Sequence, residues 1–222
     1  LDITIDILGQ VGLLKNAVEI DYRSTWTRMK DFPGNPRIFG ASFTIGSKGY
    51  TGLGCYEESG PWYKDFWEYD PEKDTWTRLE DFPGAGRSKF ATFVIGEKAY
   101  VVAGVKGNMF ENANNLKEVW EFNGDTKGWT RKSDFPGGAR WNSFGFAING
   151  KGFVGGGVLG NYEMKTDFWK YTPQTDSWEQ MKDIGEFWNE DIFAISDNKN
   201  GYILTGYCGS PCNQRYFRKY DM

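Results

Sequence analysis

Histidine is absent from all 222 residues. No Ser-His-Asp triad, Cys-His dyad, histidine-ligated zinc or copper site, or histidine pH switch can be assembled from this chain. Cysteine is almost as scarce, at Cys55, Cys208 and Cys212. Three scattered thiols do not supply the four ligands of a structural zinc site, so neither a metal nor a cofactor is expected. Cys208 and Cys212, in Cys-Gly-Ser-Pro-Cys, are spaced to close a small disulfide loop, with ordinary unpaired thiols as the even alternative. No apolar stretch approaches the roughly 18 residues of a membrane span, so direct membrane insertion is not expected. Basic residues do not dominate: 26 stand against 30 acidic ones, for a net charge of -4. A nucleic-acid binder would need a basic stripe, so that partner class is excluded. Proline numbers only 8 and glycine keeps no three-residue step, which excludes a collagen-like chain. The opening Leu1 to Ile7 alternates apolar with polar residues and has no basic n-region, so no signal peptide is read there.

What the chain does have is aromatic residues and glycine. Ten Trp, twelve Tyr and seventeen Phe exclude disorder. The 29 glycines are near twice the usual share of about 7 %. Both classes fall on an internal repeat. The segment Thr25-Trp26-Thr27-Arg28-Met29-Lys30-Asp31-Phe32-Pro33-Gly34 returns as Thr75 to Gly84 and again as Gly128 to Gly137. A worn fourth copy runs from Ser177 to Gly185, and the Trp-to-Trp steps are 50, 53 and 49 residues. Phe43, Phe93 and Phe146 each follow their Trp by seventeen residues, and Phe193 follows Trp178 by fifteen, which implies a two-residue deletion.

Each of these Phe residues opens an apolar strand, a tight turn and a second strand that runs into glycine. Gly46-Ser47, Gly96-Glu97 and Asn149-Gly150 suit two-residue hairpin turns requiring positive φ. In the fourth copy Ile195 to Tyr202 reads as the same pattern with a longer turn. Asp65 to Asp70, Glu118 to Phe122 and Asp167 to Tyr171 read as a third strand by their alternation. The repeated Asp-Phe-Pro-Gly is expected to form a type II turn with its Gly at positive φ. No helical period occurs. The fold class is therefore all-β, a β-propeller of four-stranded antiparallel blades, with glycine where blades crowd at the axis and aromatics filling the widening wedge. The repeat positions, among them Trp26, Trp67, Trp76, Trp120, Trp129, Trp169 and Trp178, are expected in the core. Residues 1–17 read as a strand, linker or degraded unit, and 18–222 as the repeats.

The period near 50, the Tyr-Asp and Trp about six residues apart, and the glycines after the second strand resemble the kelch repeat. The wording Asp-Phe-Pro-Gly and Asp-Phe-Trp-x-Tyr looks most like bacterial kelch proteins of the Bacteroidetes type. That resemblance covers residues 25–222 and implies six or seven blades, so the four units read as part of a larger propeller rather than as a compact closed variant. It also implies an exported protein, periplasmic or at the cell surface.

Propeller function sits in loops at one end of the channel. Arg37, Arg87 and Arg140 lie six residues before Phe43, Phe93 and Phe146, and three guanidiniums at one level suit a carboxylate partner. In kelch domains arginines of this loop region grip acidic peptides. A structural role is the competing reading, each arginine pairing with an aspartate such as Asp31, Asp81 or Asp134. Trp141, echoed by Trp188, and the loop aromatics Trp62 and Tyr63 join the candidates, since exposed rings stack on sugars or proline. No residue is assigned a catalytic role. The function expected is a non-catalytic module binding a protein or glycan, possibly acidic; the alternative is a carbohydrate-active enzyme resembling the sialic-acid mutarotases, which could open a sugar ring with Arg, Glu and Asp alone.

Overall fold

The computed structural model describes residues 3–7, 10–14, 26–108, 111–185, 192–197, 199–205 and 217–221, with side chains from Trp26 onward except at Asn112 and Thr205. Trp188, Cys208 and Cys212 lie outside the described residues. The chain divides into two compact units, Leu1–Asp31 and Phe32–Met222. In the first, β1 (Ile3–Ile7) and β2 (Gln10–Leu14) pair antiparallel, from Ile3 opposite Leu14 to Ile7 opposite Gln10. Trp26 was expected in the core, but it lies outside every described strand and its side chain is fully exposed.

The second unit is built of sheets that follow the repeat. β3 (Ala41–Ile45), β4 (Lys48–Gly52), β5 (Phe66–Asp70) and β6 (Thr75–Arg78) form one meander. β7 (Ala91–Ile95), β8 (Lys98–Val102), β9 (Val119–Asn123) and β10 (Trp129–Lys132) form the next. The third comprises β11 (Phe144–Ile148), β12 (Lys151–Gly155), β13 (Phe168–Thr172) and β14 (Ser177–Met181). In the fourth, three strands are described: β15 (Ile192–Ser196), β16 (Asn200–Thr205) and β17 (Phe217–Asp221). Among the described residues the one helical turn is a 3-10 segment at Asn112–Asn114, and no helix is long and apolar enough to cross a membrane. First strands lie side by side, β3 against β7, β7 against β11 and β11 against β15, as blades of a β-propeller do. Among the described residues no strand of the fourth sheet touches the first.

The hairpin turns form where the sequence places them, with positive φ at Gly46, Gly96, Asn149 and Gly150. Register corrects one landmark. Phe43, Phe93 and Phe146 pair across with Tyr50, Tyr100 and Phe153. The residue opposite Tyr202 is Ile195, not Phe193. Ile195 stands seventeen residues after Trp178 and its hairpin is as long as the others, so no deletion exists and the fourth copy merely substitutes Ile for Phe. Phe193 takes the position of Ala41, Ala91 and Phe144.

The blades meet aromatic ring against bare backbone. A Cβ added at Gly152 would lie 2.3 Å from the Phe93 ring, and one at Gly201 would lie 2.3 Å from the Phe146 ring. Gly152→Ala should therefore lower stability by about 1–3 kcal/mol through overpacking. Adding Phe93→Leu should return part of that loss, a coupling that a double-mutant thermal melt measures. Strict additivity would refute the contact as the cause.

The Asp-Phe-Pro-Gly turns are not type II, because Gly34, Gly84 and Gly137 are not at positive φ. These glycines are required for space instead. A Cβ at Gly34 would stand 2.5 Å from Phe32 and 2.9 Å from the Arg37 guanidinium, and the same crowding recurs at Gly84 and Gly137.

Candidate functional site

The repeated arginines head the site region. Arg87 and Arg140 have wholly buried side chains and Arg37 is 8 % exposed. Each guanidinium stacks on the Phe of its own Asp-Phe-Pro-Gly turn, 4.9 Å from Phe32, 4.9 Å from Phe82 and 5.0 Å from Phe135. Arg37 grips Asp65 with two hydrogen bonds of 2.9 and 2.6 Å, and Arg140 grips Asp167 with two of 2.5 and 3.0 Å. Arg87 donates to Glu118. The same carboxylates accept the indole N–H of Trp67, Trp120 and Trp169.

The guanidiniums also bind the backbone carbonyls of Leu53, Ala103 and Gly156. In addition, Arg37 and Arg87 donate through Nε to the carbonyls of Asn35 and Ala85. At Gly138, the register equivalent, φ is +92° and Arg140 Nε has no partner. The aspartates considered as structural partners belong to other arginines, Arg28 with Asp31, Arg78 with Asp81 and Arg131 with Asp134. Guanidiniums so enclosed present no donor to a ligand. The arginines fasten each blade's loop, and the Gly54 and Gly104 N–H groups donate to the carbonyls of Arg87 and Arg140 across the blade boundary.

The other candidates divide. Tyr63 is half-buried and packs against Arg37, 4.8 Å from the guanidinium. Trp62 is half-buried and bridges to Cys55. Cys55 itself is buried, and burial pushes its thiol pKa upward against the lowering influence of Ser88 and Lys89. Trp141 is 5 % exposed, with its indole N–H unpaired.

The cavity at this end of the channel is formed two residues further along. Phe39, Lys89 and Asn142 each follow their arginine by two, and all three have positive φ, at 54°, 52° and 58°. Non-glycine residues rarely adopt that conformation, and it collects at sites where the chain must aim a side chain. Here it turns three residues toward the space between the sheets. The cavity, about 550 Å³, is lined by Phe39, Gly40 and Ser42 from the first sheet's approach and by Lys89, Phe90 and Thr92 from the second. Asn142 and Ser143 close it from the third and Ile192 and Phe193 from the fourth. Hydroxyls, one amide, aromatic rings and a single ammonium face it. Among the described residues no carboxylate lines it, and no cluster of acidic or cysteine side chains could hold a metal ion.

No protein-family profile matches the chain. Over 96 residues the chain is 30 % identical to an N-acetylneuraminate epimerase of Salmonella arizonae and 29 % identical to one of Salmonella typhi. Each match covers 41 % of this chain, which spans only about a quarter (25 %) of the length of these curated relatives. The solved structure of YjhT superposes with a TM-score of 0.67 over 79 % of this chain and 60 % of that one, at 18 % identity. That likeness shows a shared fold.

Proposed function

We propose that this chain, a kelch-type β-propeller, binds a glycan in the channel-mouth cavity without transforming it. One observation carries the reading: among the described residues, a cavity lined from four repeats presents hydroxyl, amide and aromatic groups, the chemistry that meets sugar hydroxyls and ring faces, and no carboxylate. Ring-opening chemistry needs a group poised to accept and return a proton, and the one ionisable side chain among the described lining residues, Lys89, is already engaged by Glu58. Export to the periplasm or cell surface belongs to the same reading.

The similarity to two N-acetylneuraminate epimerases favours a second reading, catalysis on that sugar. Titration of the whole chain with N-acetylneuraminate, watched by ligand-observed NMR, separates them. Binding with an unchanged rate of anomer exchange is expected. Accelerated exchange would replace the binding reading with the enzymatic one, and an unperturbed sugar spectrum would overturn both.

A further inference from the structure

The third and fourth sheets enclose a second cavity that shares no residue with the channel mouth. It measures about 210 Å³, and its apolar lining is Phe168, Ile184, Ile203 and Tyr220. At the two preceding sheet boundaries a tryptophan from an outer strand fills the same place. Trp129 of β10 lies 5.1 Å from Phe66, 5.0 Å from Phe82 and 5.1 Å from Phe122. Trp178 of β14 lies 5.1 Å from Phe135 and 4.7 Å from Tyr171. Phe168, Ile184 and Tyr220 are the register counterparts of Phe66, Phe82 and Phe122, and the Phe168 and Tyr220 rings stand 5.0 Å apart. Among the described residues no strand pairs with the second edge of β17, and no tryptophan enters the slot. A free strand edge is a template for another strand.

The charges along β17 say which strand fits. On β13, Tyr171 faces Trp178, Lys170 faces Glu179, Trp169 faces Gln180 and Phe168 faces Met181, with a 2.6 Å ion pair between Lys170 and Glu179. β17 repeats that order as Phe217-Arg218-Lys219-Tyr220. β5 and β9 instead carry Glu68 and Glu121 at the lysine position, facing Thr77 and Thr130. An incoming Ser-Trp-Glu-Gln-Met strand therefore sets its Trp opposite Tyr220, its Glu opposite Lys219 and its Met opposite Phe217. The Thr-Trp-Thr-Arg wording would set an arginine opposite Arg218, and like charges directly opposite destabilise a sheet.

We propose that the edge of β17 and this cavity bind a partner protein by strand addition, taking an extended segment of the Ser-Trp-Glu-Gln-Met type antiparallel to β17. Backbone hydrogen bonds supply affinity in this mode, and the side-chain slot supplies specificity. The test is fluorescence anisotropy of a dye-labelled peptide, Thr-Asp-Ser-Trp-Glu-Gln-Met-Lys, the wording of residues 175–182, titrated with the whole chain. Binding is expected. Replacing the peptide's Trp by Ala should weaken it more than about tenfold, as the loss of a buried ring implies. Replacing its Glu by Lys should weaken it about threefold, the size of one cross-strand charge pair. Lys219→Glu in the protein should restore that second peptide and weaken the original. No binding, or binding indifferent to the Trp or to the charge exchange, overturns the proposal. Sedimentation of the chain alone is the other arm: a dimer that the peptide splits would make a second copy the occupant and overturn a foreign partner. Lys219 is exposed on an edge strand, and should Lys219→Glu still prove unfolded by circular dichroism, the two peptide replacements decide the matter.

Discussion

Asp167→Ala should cost about 3–5 kcal/mol of stability, because it removes the counter-charge of a buried cation while leaving the cation in place. Arg140 is wholly enclosed, and without Asp167 it keeps only the Gly156 carbonyl and the Phe135 ring. The Trp169 indole N–H loses its acceptor at the same time. Asp167→Asn, which keeps an acceptor oxygen but no charge, should fall between the two. Urea unfolding of the three proteins measures the series. A loss below about 1 kcal/mol for Asp167→Ala, the range of an exposed ion pair, would mean that the arginine finds water or another partner.

Acid should attack the sister pairs in the same way. Burial alone would raise the pKa of Asp65 and Glu118, but hydrogen bonds from Arg37 and Trp67, and from Arg87 and Trp120, outweigh it and hold both below the ordinary carboxylate range. A carboxyl whose folded pKa is depressed stabilises fully above its unfolded value, about 4, and loses that contribution as pH falls through the folded value. Stability should therefore drop steeply below about pH 4.

Phe122→Ala carries the second large effect, about 3–5 kcal/mol for deleting a fully buried ring. Phe122 lies on β9, yet its neighbours include Phe66 at 4.9 Å and Tyr50 at 5.2 Å from the preceding blade, besides Trp129 at 5.1 Å. The substitution opens the boundary between the first and second sheets rather than the interior of either. Thermal melts compare it with Phe217→Ala, whose ring is 68 % exposed and whose loss should be small. Equal effects would show that the ring cluster does not hold the boundary.

The repeat made the blades legible because packing imposes the same demand fifty residues apart, and Trp67, Trp120 and Trp169 return to one slot with one partner type. The fourth unit was misaligned because Phe193 drew the eye from Ile195, and only cross-strand pairing separates them. The arginines were conspicuous for the same reason that they are unavailable: identical residues at identical places answer to a common structural need. The cavity residues lie two positions on, where the copies disagree as Phe39, Lys89 and Asn142. Divergence inside a repeat marks positions that packing leaves free, and that signal was present in the sequence.

The way the described sheets touch one another has a consequence for how the second unit comes apart. Among the described residues every strand contact between sheets of the second unit joins a sheet to the one before or after it. In such arrays each interface contributes separately, and fraying at one end need not disturb the other. The channel-mouth cavity is touched by residues of all four sheets. A ligand seated there would touch all four repeats at once and couple boundaries that otherwise contribute separately.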